Sequence, residues 1–423
     1  MNPDQQANVY ALRARATSVF TPGAPVSQLS LFRGRNDQIE MVLEAVTQFG
    51  QHPVIYGERG VGKTSLVSVL HEIFARAGMV GLRFAHINCD KQDTFASLWR
   101  KVFRELTVSE NNAVADSPQK SLPLPDTLDQ WLGDEVTPDE IRRMALLTKN
   151  HLIVVIDEFD QLAADGAVAR LMANTIKTLS DRRAPLTIVL VGVADTIDKL
   201  IQEHESIDRN LVQVRMPRMS SEEIGQVIDE GLAAIGMGIE EEALRDICSL
   251  VQGLPAAAHH IGLQLSYHLI DHQGILATKP DVSSALEAVI RRMGQSLLSD
   301  WVEATTSPRR DALFKQVLVA CALAPRNDLG WFQPVDVRQP FRAVTQKQAY
   351  DIQAYIQHLN LLSSQRGNVL EKTGDARRWQ FRFRKPLFHS YVIMRGLTEH
   401  IITDDVLRRF RDNLPSQSHY SAP

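Results

Sequence analysis

Residues 57–64 read Gly57-Glu58-Arg59-Gly60-Val61-Gly62-Lys63-Thr64, and Ser65 follows. Glycines at this spacing let a short loop turn so that successive backbone N–H groups converge, which makes a cradle for phosphate oxygens. Lys63 adds a point charge suited to the β/γ oxygens of a nucleotide, and the Thr64 hydroxyl suits Mg²⁺. The run is a full match to the phosphate-binding pattern G-x-x-x-x-G-K-[ST], the Walker A loop. Its flanks fit. Residues 53–56 read as a short buried strand entering the loop, and residues 64–77 are helix-periodic up to Gly78. The loop therefore opens a helix, whose N-terminus attracts anions. The expected ligands are ATP and Mg²⁺, with Gly57 to Ser65 around the phosphates.

A second constellation lies downstream, where the apolar run 151–156 ends in Asp157-Glu158. Nucleotide hydrolysis needs an acceptor for the metal's hydration shell and a base for the attacking water. Asp157 suits the first role, as a metal ligand beside Thr64, and Glu158 the second. The competing reading is a pair of acids capping the next helix.

Such a site needs a rigid frame. Runs 151–156 and 186–192 are continuously apolar, as in strands buried on both faces of a parallel sheet. Residues 81–88 read as another strand, and residues 39–46 and 95–106 as helices. The fold class is α/β with a parallel sheet. Residues 1–30 read as an arm or linker, and residues 108–139, with Pro118, Pro123, Pro125 and Pro138, as a loop-rich insertion. From Ser220 to about Gln295 the pattern is helical only. Short helices then lead to strand-like runs around residues 366–370 and 379–384.

At 423 residues the chain suits two or three domains. Its 44% hydrophobic and 23% charged residues are those of an ordinary soluble protein. No signal peptide is visible, and the longest apolar run is too short for a bilayer. Three scattered cysteines point to small core residues in a reducing, cytoplasmic compartment. The net charge of −4 hides an asymmetry: residues 309–395 hold 15 Lys+Arg against 6 Asp+Glu, a net of +9. A basic C-terminal module on an acidic body suggests a polyanion partner for that module. Its last run places Trp379, Phe381 and Phe383 on one strand face and Arg378, Gln380, Arg382 and Arg384 on the other. The aromatic face reads as core. The arginine face, with Lys385, reads either as a phosphate contact or as a solvated or protein-docking face.

Taken in order, Phe32-Arg33-Gly34-Arg35, the Walker A loop, Asp157-Glu158, Gly192-Val193-Ala194-Asp195, Arg209 and Gly253-Leu254-Pro255 resemble AAA+ ATPases of the initiator and STAND branches. The resemblance covers roughly residues 20–395. It implies a P-loop AAA+ core over residues 31–216, a helical lid over 217–298, a C-terminal winged-helix domain over 299–400 and a tail over 401–423. Carried over by position, Phe32 and Arg35 match the adenine-side box, Pro255 lies against the base, and Arg209 matches an arginine finger, with Arg182 and Arg183 as runners-up. Asp195 falls where sensor 1 has Asn, Thr or Ser, a departure that puts its role in doubt. No sensor 2 arginine follows Pro255, which leaves His259 or His260 as a candidate phosphate contact. The resemblance implies a slow, regulated ATPase that acts as a switch, in a homo-oligomer or with a partner protein and without a membrane. The winged helix would contact duplex DNA; the alternative is a STAND-type signalling or defence switch whose winged helix docks protein.

Overall fold

The computed structural model describes residues 3–76, 82–106, 127–133, 135–148, 150–162, 166–193, 205–308, 312–327, 329–375 and 378–410. Five parallel strands form the central sheet: β1 (His52–Tyr56), β2 (Leu82–Asn88), β3 (His151–Asp157), β4 (Leu186–Gly192) and β5 (Leu211–Arg215). Their order is β2-β3-β4-β1-β5. The chain leaves β1 for the far edge and later returns to β1's other side with β5. The crevice at the carboxyl ends of the strands, where such an order reverses, is where open α/β sheets bind ligands.

Side-chain alternation splits the sheet between two cores. Ile153 and Val155 pack with α2 (Asn36–Thr47) and α3 (Lys63–Arg76), through Val42, Leu66 and Leu70. Leu152, Val154 and Ile156 face the other way, onto α4 (Phe95–Glu105), α5 (Pro138–Leu147) and α6 (Gly166–Asp181), through Trp99, Ile141 and Ile176. Both faces are covered, which is why β3 and β4 carry no polar alternation. Of the expected loop-rich insertion, residues 107–126 and Asp134 lie outside the described residues. Pro138 instead opens α5, behind the capping Thr137. A proline at the first helical position loses no hydrogen bond.

The lid is α7 (Ser221–Ala233), α8 (Glu241–Val251), α9 (Pro255–Asp271) and α10 (Lys279–Arg292), joined by the short parallel pair β6 (Gly238–Ile239) and β7 (Leu276–Ala277). Against the expectation of an arm, residues Pro3–Val19 form a helix, α1, on the lid. Arg13 pairs with Asp271 at 2.6 Å. The Phe20 ring fills the space left by Gly231 and Gly262, where an added Cβ would come within 2.5 Å and 2.4 Å of it.

The C-terminal module runs α11 (Gln295–Thr305), α12 (Phe314–Leu323), α13 (Arg338–Thr345), α14 (Ile356–Leu362), β8 (Leu370–Thr373), β9 (Gln380–Phe383), α15 (Pro386–Thr398) and α16 (Asp404–Arg409). β8 and β9 pair antiparallel, and Phe332 bridges to Phe381. Phe381 and Phe383 are buried and Trp379 packs on the same core, as the aromatic stripe requires. All three cysteines are buried thiols outside any disulfide. No described helix is long and apolar enough to cross a membrane.

Three histidines are buried without charge. Burial pushes the pKa of His52 down to about 3 and of His259 to about 4, and holds His389 well below the usual value. Below pH 6.5 the unfolded chain takes up these protons while the folded chain refuses them, so stability falls as pH falls. Each contributes a slope of about 1.4 kcal/mol per pH unit, so three give about 4 kcal/mol per unit between roughly pH 6 and 4.5. A denaturant midpoint that stays flat from pH 7 to 5 would contradict this.

Candidate functional site

The phosphate loop is shaped by contacts on both sides. Gly57 follows β1, and a Cβ there would lie 2.3 Å from the carbonyl oxygen of Met216, so only glycine passes. Gly60 and Gly62 have φ of +84° and +96°, the left-handed region that a side chain disfavours. The loop then delivers Lys63 to the start of α3. Lys63 Nζ donates to the carbonyls of Gly57 at 3.0 Å and Glu58 at 2.8 Å. Burial lowers its pKa to about 8, against the pull of Asp160 and Asp157. An anionic ligand would restore the charge that burial disfavours.

Asp157 ends β3 and is 3% exposed. Burial works to raise its pKa, but the neighbouring His86 and Thr64 and the Glu158 N–H outweigh it and hold the carboxyl below its usual range. The Glu158 N–H donates to Asp157 Oδ1 at 2.7 Å, and His86 Nε2 lies 3.6 Å from Oδ2. The Thr64 hydroxyl and the Asp157 carboxylate are neighbouring hard oxygen donors, a set that fits Mg²⁺. No group of three or more His, Cys, Asp or Glu side chains suited to a metal occurs among the described residues. Glu158 is exposed, and its φ of +55° breaks the line of the strand at the cavity wall.

A cavity of about 360 Å³ joins these groups to an apolar far end, where Val26, Leu31, Phe32 and Val227 line the wall. Arg59, Gly60, Val61, Gly62, Lys63, Thr64 and Ser65 line it, as do Asp157, Glu158 and Pro255. Segment 20–33, expected as a linker and the start of the core, supplies much of the far wall. It is tied to α3 by the Val26 N–H on Ser65 Oγ at 3.0 Å and the Leu29 N–H on Glu72 Oε2 at 2.6 Å. Pro255 opens α9, and its ring lies 4.0 Å from where a Cβ on Gly62 would be. His259, one turn on, lines the cavity, and burial holds His260 below its usual pKa. Arg35 does not reach the cavity: it is 2% exposed, and its Nη2 donates to the Pro217 carbonyl at 2.6 Å beside Glu223. Arg33 lines the cavity instead, paired with Glu230. Gly192 and Val193 line it too, whereas Asp195 lies outside the described residues.

Arg209 sits just before β5, which runs parallel to β1 with Leu211 opposite His52. It therefore lies at the amino ends of the strands, opposite the end from which the loop after Tyr56 leaves. Its Nη2 contacts Asp181 at 3.3 Å, and the side chain is 73% exposed. Arg182 and Arg183, just before β4, are exposed at the same end of the sheet. None of the three is near the chain's own phosphate loop.

The four basic residues of the last strand and its flank are differently placed. Arg378 is exposed. Arg382 pairs with Glu371 at 2.8 Å and stacks on Trp331 at 4.3 Å. Arg384 donates to the carbonyl and side chain of Asn368, each at 3.0 Å, and Lys385 pairs with Asp300 at 2.6 Å. Arg382 and Arg384 line a second cavity of about 230 Å³, whose other wall is Gly57, Glu58, Arg59 and Val193 of the core. The hairpin thus faces the phosphate loop.

A buried cluster, not foreseen from sequence, fastens this arrangement. Glu58 pairs with Arg218 at 2.6 Å, with side chains 9% and 5% exposed. Arg218 also donates to the Gln252 carbonyl at 3.1 Å. From the C-terminal module, Arg326 donates to Gln252 Oε1 at 2.8 Å and contacts His389. Burial, and then the neighbouring Arg218, push the Arg326 pKa well down, with Glu58 opposing. Ser390 donates to the Val251 carbonyl at 3.1 Å. Gly330 has no side chain where a Cβ would meet Glu58 Oε1 at 2.1 Å. Loop, lid and C-terminal module therefore meet at one carboxylate. Sequence offers no local signal for this, because Glu58 and Arg218 lie 160 residues apart along the chain, and Gln252 and Arg326 lie 74 apart.

A parallel sheet in this order, a Walker A loop on β1 and paired acids ending β3 define a P-loop NTPase core of the AAA+ kind, of the initiator and STAND type. Residues 26–263 match the sequence profile of nSTAND1, Novel STAND NTPase 1, and the chain belongs to that family. No curated protein matches the chain. Among solved structures it is similar to the Aeropyrum pernix ORC2 protein in ADPNP-ADP complexes, at 14% identity and a TM-score of 0.49, over 93% of this chain and 97% of that one. It is also similar to the Aeropyrum pernix ORC1 protein in complex with DNA, at 12% identity and a TM-score of 0.49, over 92% and 97%. A Walker-type ATPase of Pyrococcus abyssi matches at 16% identity and a TM-score of 0.47, over 88% and 98%. At such scores these likenesses decide nothing about what the chain does.

Proposed function

We propose that the protein binds and hydrolyses Mg-ATP as a conformational switch, and that its basic C-terminal module is held on the phosphate-loop face in the state described. The observation that carries this is the cavity wall shared by Lys63, Thr64, Asp157 and Glu158, in a cavity that Val26, Leu31, Phe32 and Val227 also line. In the reaction, the Glu158 carboxylate takes a proton from water as its oxygen attacks the γ-phosphorus and the bond to ADP breaks. Lys63 and the loop N–H groups hold the β/γ oxygens. Mg²⁺, held by Thr64 and Asp157, would neutralise charge on those oxygens when bound. Arg209 acts as a finger only in trans, since it lies at the end of its own sheet opposite the phosphate loop.

Helices, an antiparallel hairpin and the Phe332 bridge support reading residues 312–398 as a winged helix. The STAND-type switch is the reading the geometry favours for it, because Arg382, Arg384 and Lys385 have partners within the chain and the hairpin faces the core. Duplex DNA is the second reading, favoured by the net charge of +9 over residues 309–395.

The test is ATP binding by fluorescence anisotropy. Lys63→Ala is expected to weaken it about 10- to 100-fold, the loss of charge-assisted hydrogen bonds to phosphate. Unchanged affinity would remove the nucleotide from this cavity.

A further inference from the structure

We infer that His259, held by the Thr21 backbone N–H, reads the nucleotide base and makes the cavity selective for adenine over guanine. The inference rests on the nucleotide reading of that cavity. Phosphates at the loop fix the direction in which the rest of a nucleotide must lie. Pro255 and Ala256 sit beside the loop glycines, with a Cβ on Gly60 falling 3.5 Å from Ala256 Cβ. His259 comes one turn later on α9, about 5 Å further along, on the wall formed with Thr21 and Pro22. That end is apolar apart from three side chains, and one of these, Arg33, is already paired with Glu230.

The other two have unused polar capacity. The Thr21 backbone N–H donates to His259 Nδ1 at 3.1 Å. Nδ1 must therefore be the acceptor, which places the ring proton on Nε2. Burial keeps the ring neutral, with a pKa of about 4, so this tautomer persists at physiological pH. Nε2–H has no acceptor among the described residues, and the ring is held edge-on by Phe20 at 6.0 Å. Thr21 Oγ1 is buried and turned away from the cavity, so the His259 ring supplies the polar group there. A fixed N–H donor complements adenine, whose N1 accepts. Guanine presents N1–H to the same donor, leaving two N–H groups opposed and a buried donor unpaired, which is the costly case. Discrimination therefore lies with His259.

The experiment measures ATP, inosine triphosphate and GTP binding to the full chain by competition against a fluorescent ATP analogue. Wild type is expected to prefer ATP by about 10- to 100-fold over both others, which share the N1–H. His259→Asn keeps an acceptor for the Thr21 N–H and removes Nε2–H. It is expected to bring the three affinities within about threefold. His259→Gln returns an N–H near the Nε2 position and is expected to restore part of the preference. Thr21→Val, a near-isosteric change that keeps the backbone N–H on His259 Nδ1, is expected to leave the preference among the three nucleotides unchanged. Equal binding of all three by wild type would overturn the inference while leaving the nucleotide reading intact. So would an equal loss for all three in His259→Asn with folding unchanged, since that is a packing role. Lys63-independent binding, or none at all, would sink the nucleotide reading and this inference with it.

Discussion

Glu158→Gln is expected to leave ATP bound and to reduce turnover by about 10²- to 10⁴-fold, the span of a lost general base. Amide and carboxylate have nearly the same shape, so the exposed side chain at φ +55° has no packing to lose. Asp157→Asn differs in kind. That carboxyl is buried, accepts from the Glu158 N–H and lies beside Thr64 and His86, so its loss should raise the Mg²⁺ needed for binding as well as slow turnover. The measurement is single-turnover hydrolysis beside equilibrium binding. Wild-type turnover in Glu158→Gln would show that another group takes the proton. The same variant tests the finger. Mixed with Arg209→Ala, it should regain part of the activity, because one shared interface then holds an intact base and an intact finger. No rescue at any ratio, with oligomers present, would leave Arg209 as a surface partner of Asp181.

What was legible in the sequence was local. The loop announces itself because each residue type has a backbone or charge reason to stand where it does. β3 and β4 were readable because strands buried on both faces need unbroken apolar runs. The aromatic stripe 379–383 was readable because side chains alternate across a strand. Failures occurred where tertiary contacts decide. α1 carries little apolar periodicity and is held by Arg13 on Asp271 and by Phe20 over two lid glycines. Pro138 was read as loop chemistry where it starts a helix. Arg35 was placed with the nucleotide because of its position beside Phe32, but the backbone turns it under Pro217. Alternation put Arg382 and Arg384 on one face, and could not show that the face meets Glu371, Asn368 and the phosphate loop.

Glu58→Ala is expected to destabilise the chain by about 3–5 kcal/mol, the cost of breaking a buried ion pair by removing one partner. Glu58 and Arg218 are almost fully buried, and the second guanidinium, Arg326, approaches the same carboxylate from the C-terminal module. Without Glu58 two cations, Arg218 and Arg326, are left facing one another beside Gln252 and His389. The measurement is the denaturant midpoint, with Arg326→Met as a companion. Removing one of the two cations relieves repulsion, so this change should cost much less than Glu58→Ala. A shift below about 0.5 kcal/mol in Glu58→Ala, the range of an ordinary surface change, would mean that the cluster does not hold the module. The same variant discriminates the two partner readings. A wing laid along DNA phosphates loses affinity with salt at a slope of about 0.9 per phosphate, so replacing Arg378, Arg382 and Arg384 together removes about 2–3 units of slope. With the hairpin docked on the loop, wild type should show little salt-dependent duplex binding, and Glu58→Ala should reveal it if DNA is the partner. Steep binding by wild type would put DNA first. None by either protein would leave the basic face to another protein, or to the phosphate loop it already meets.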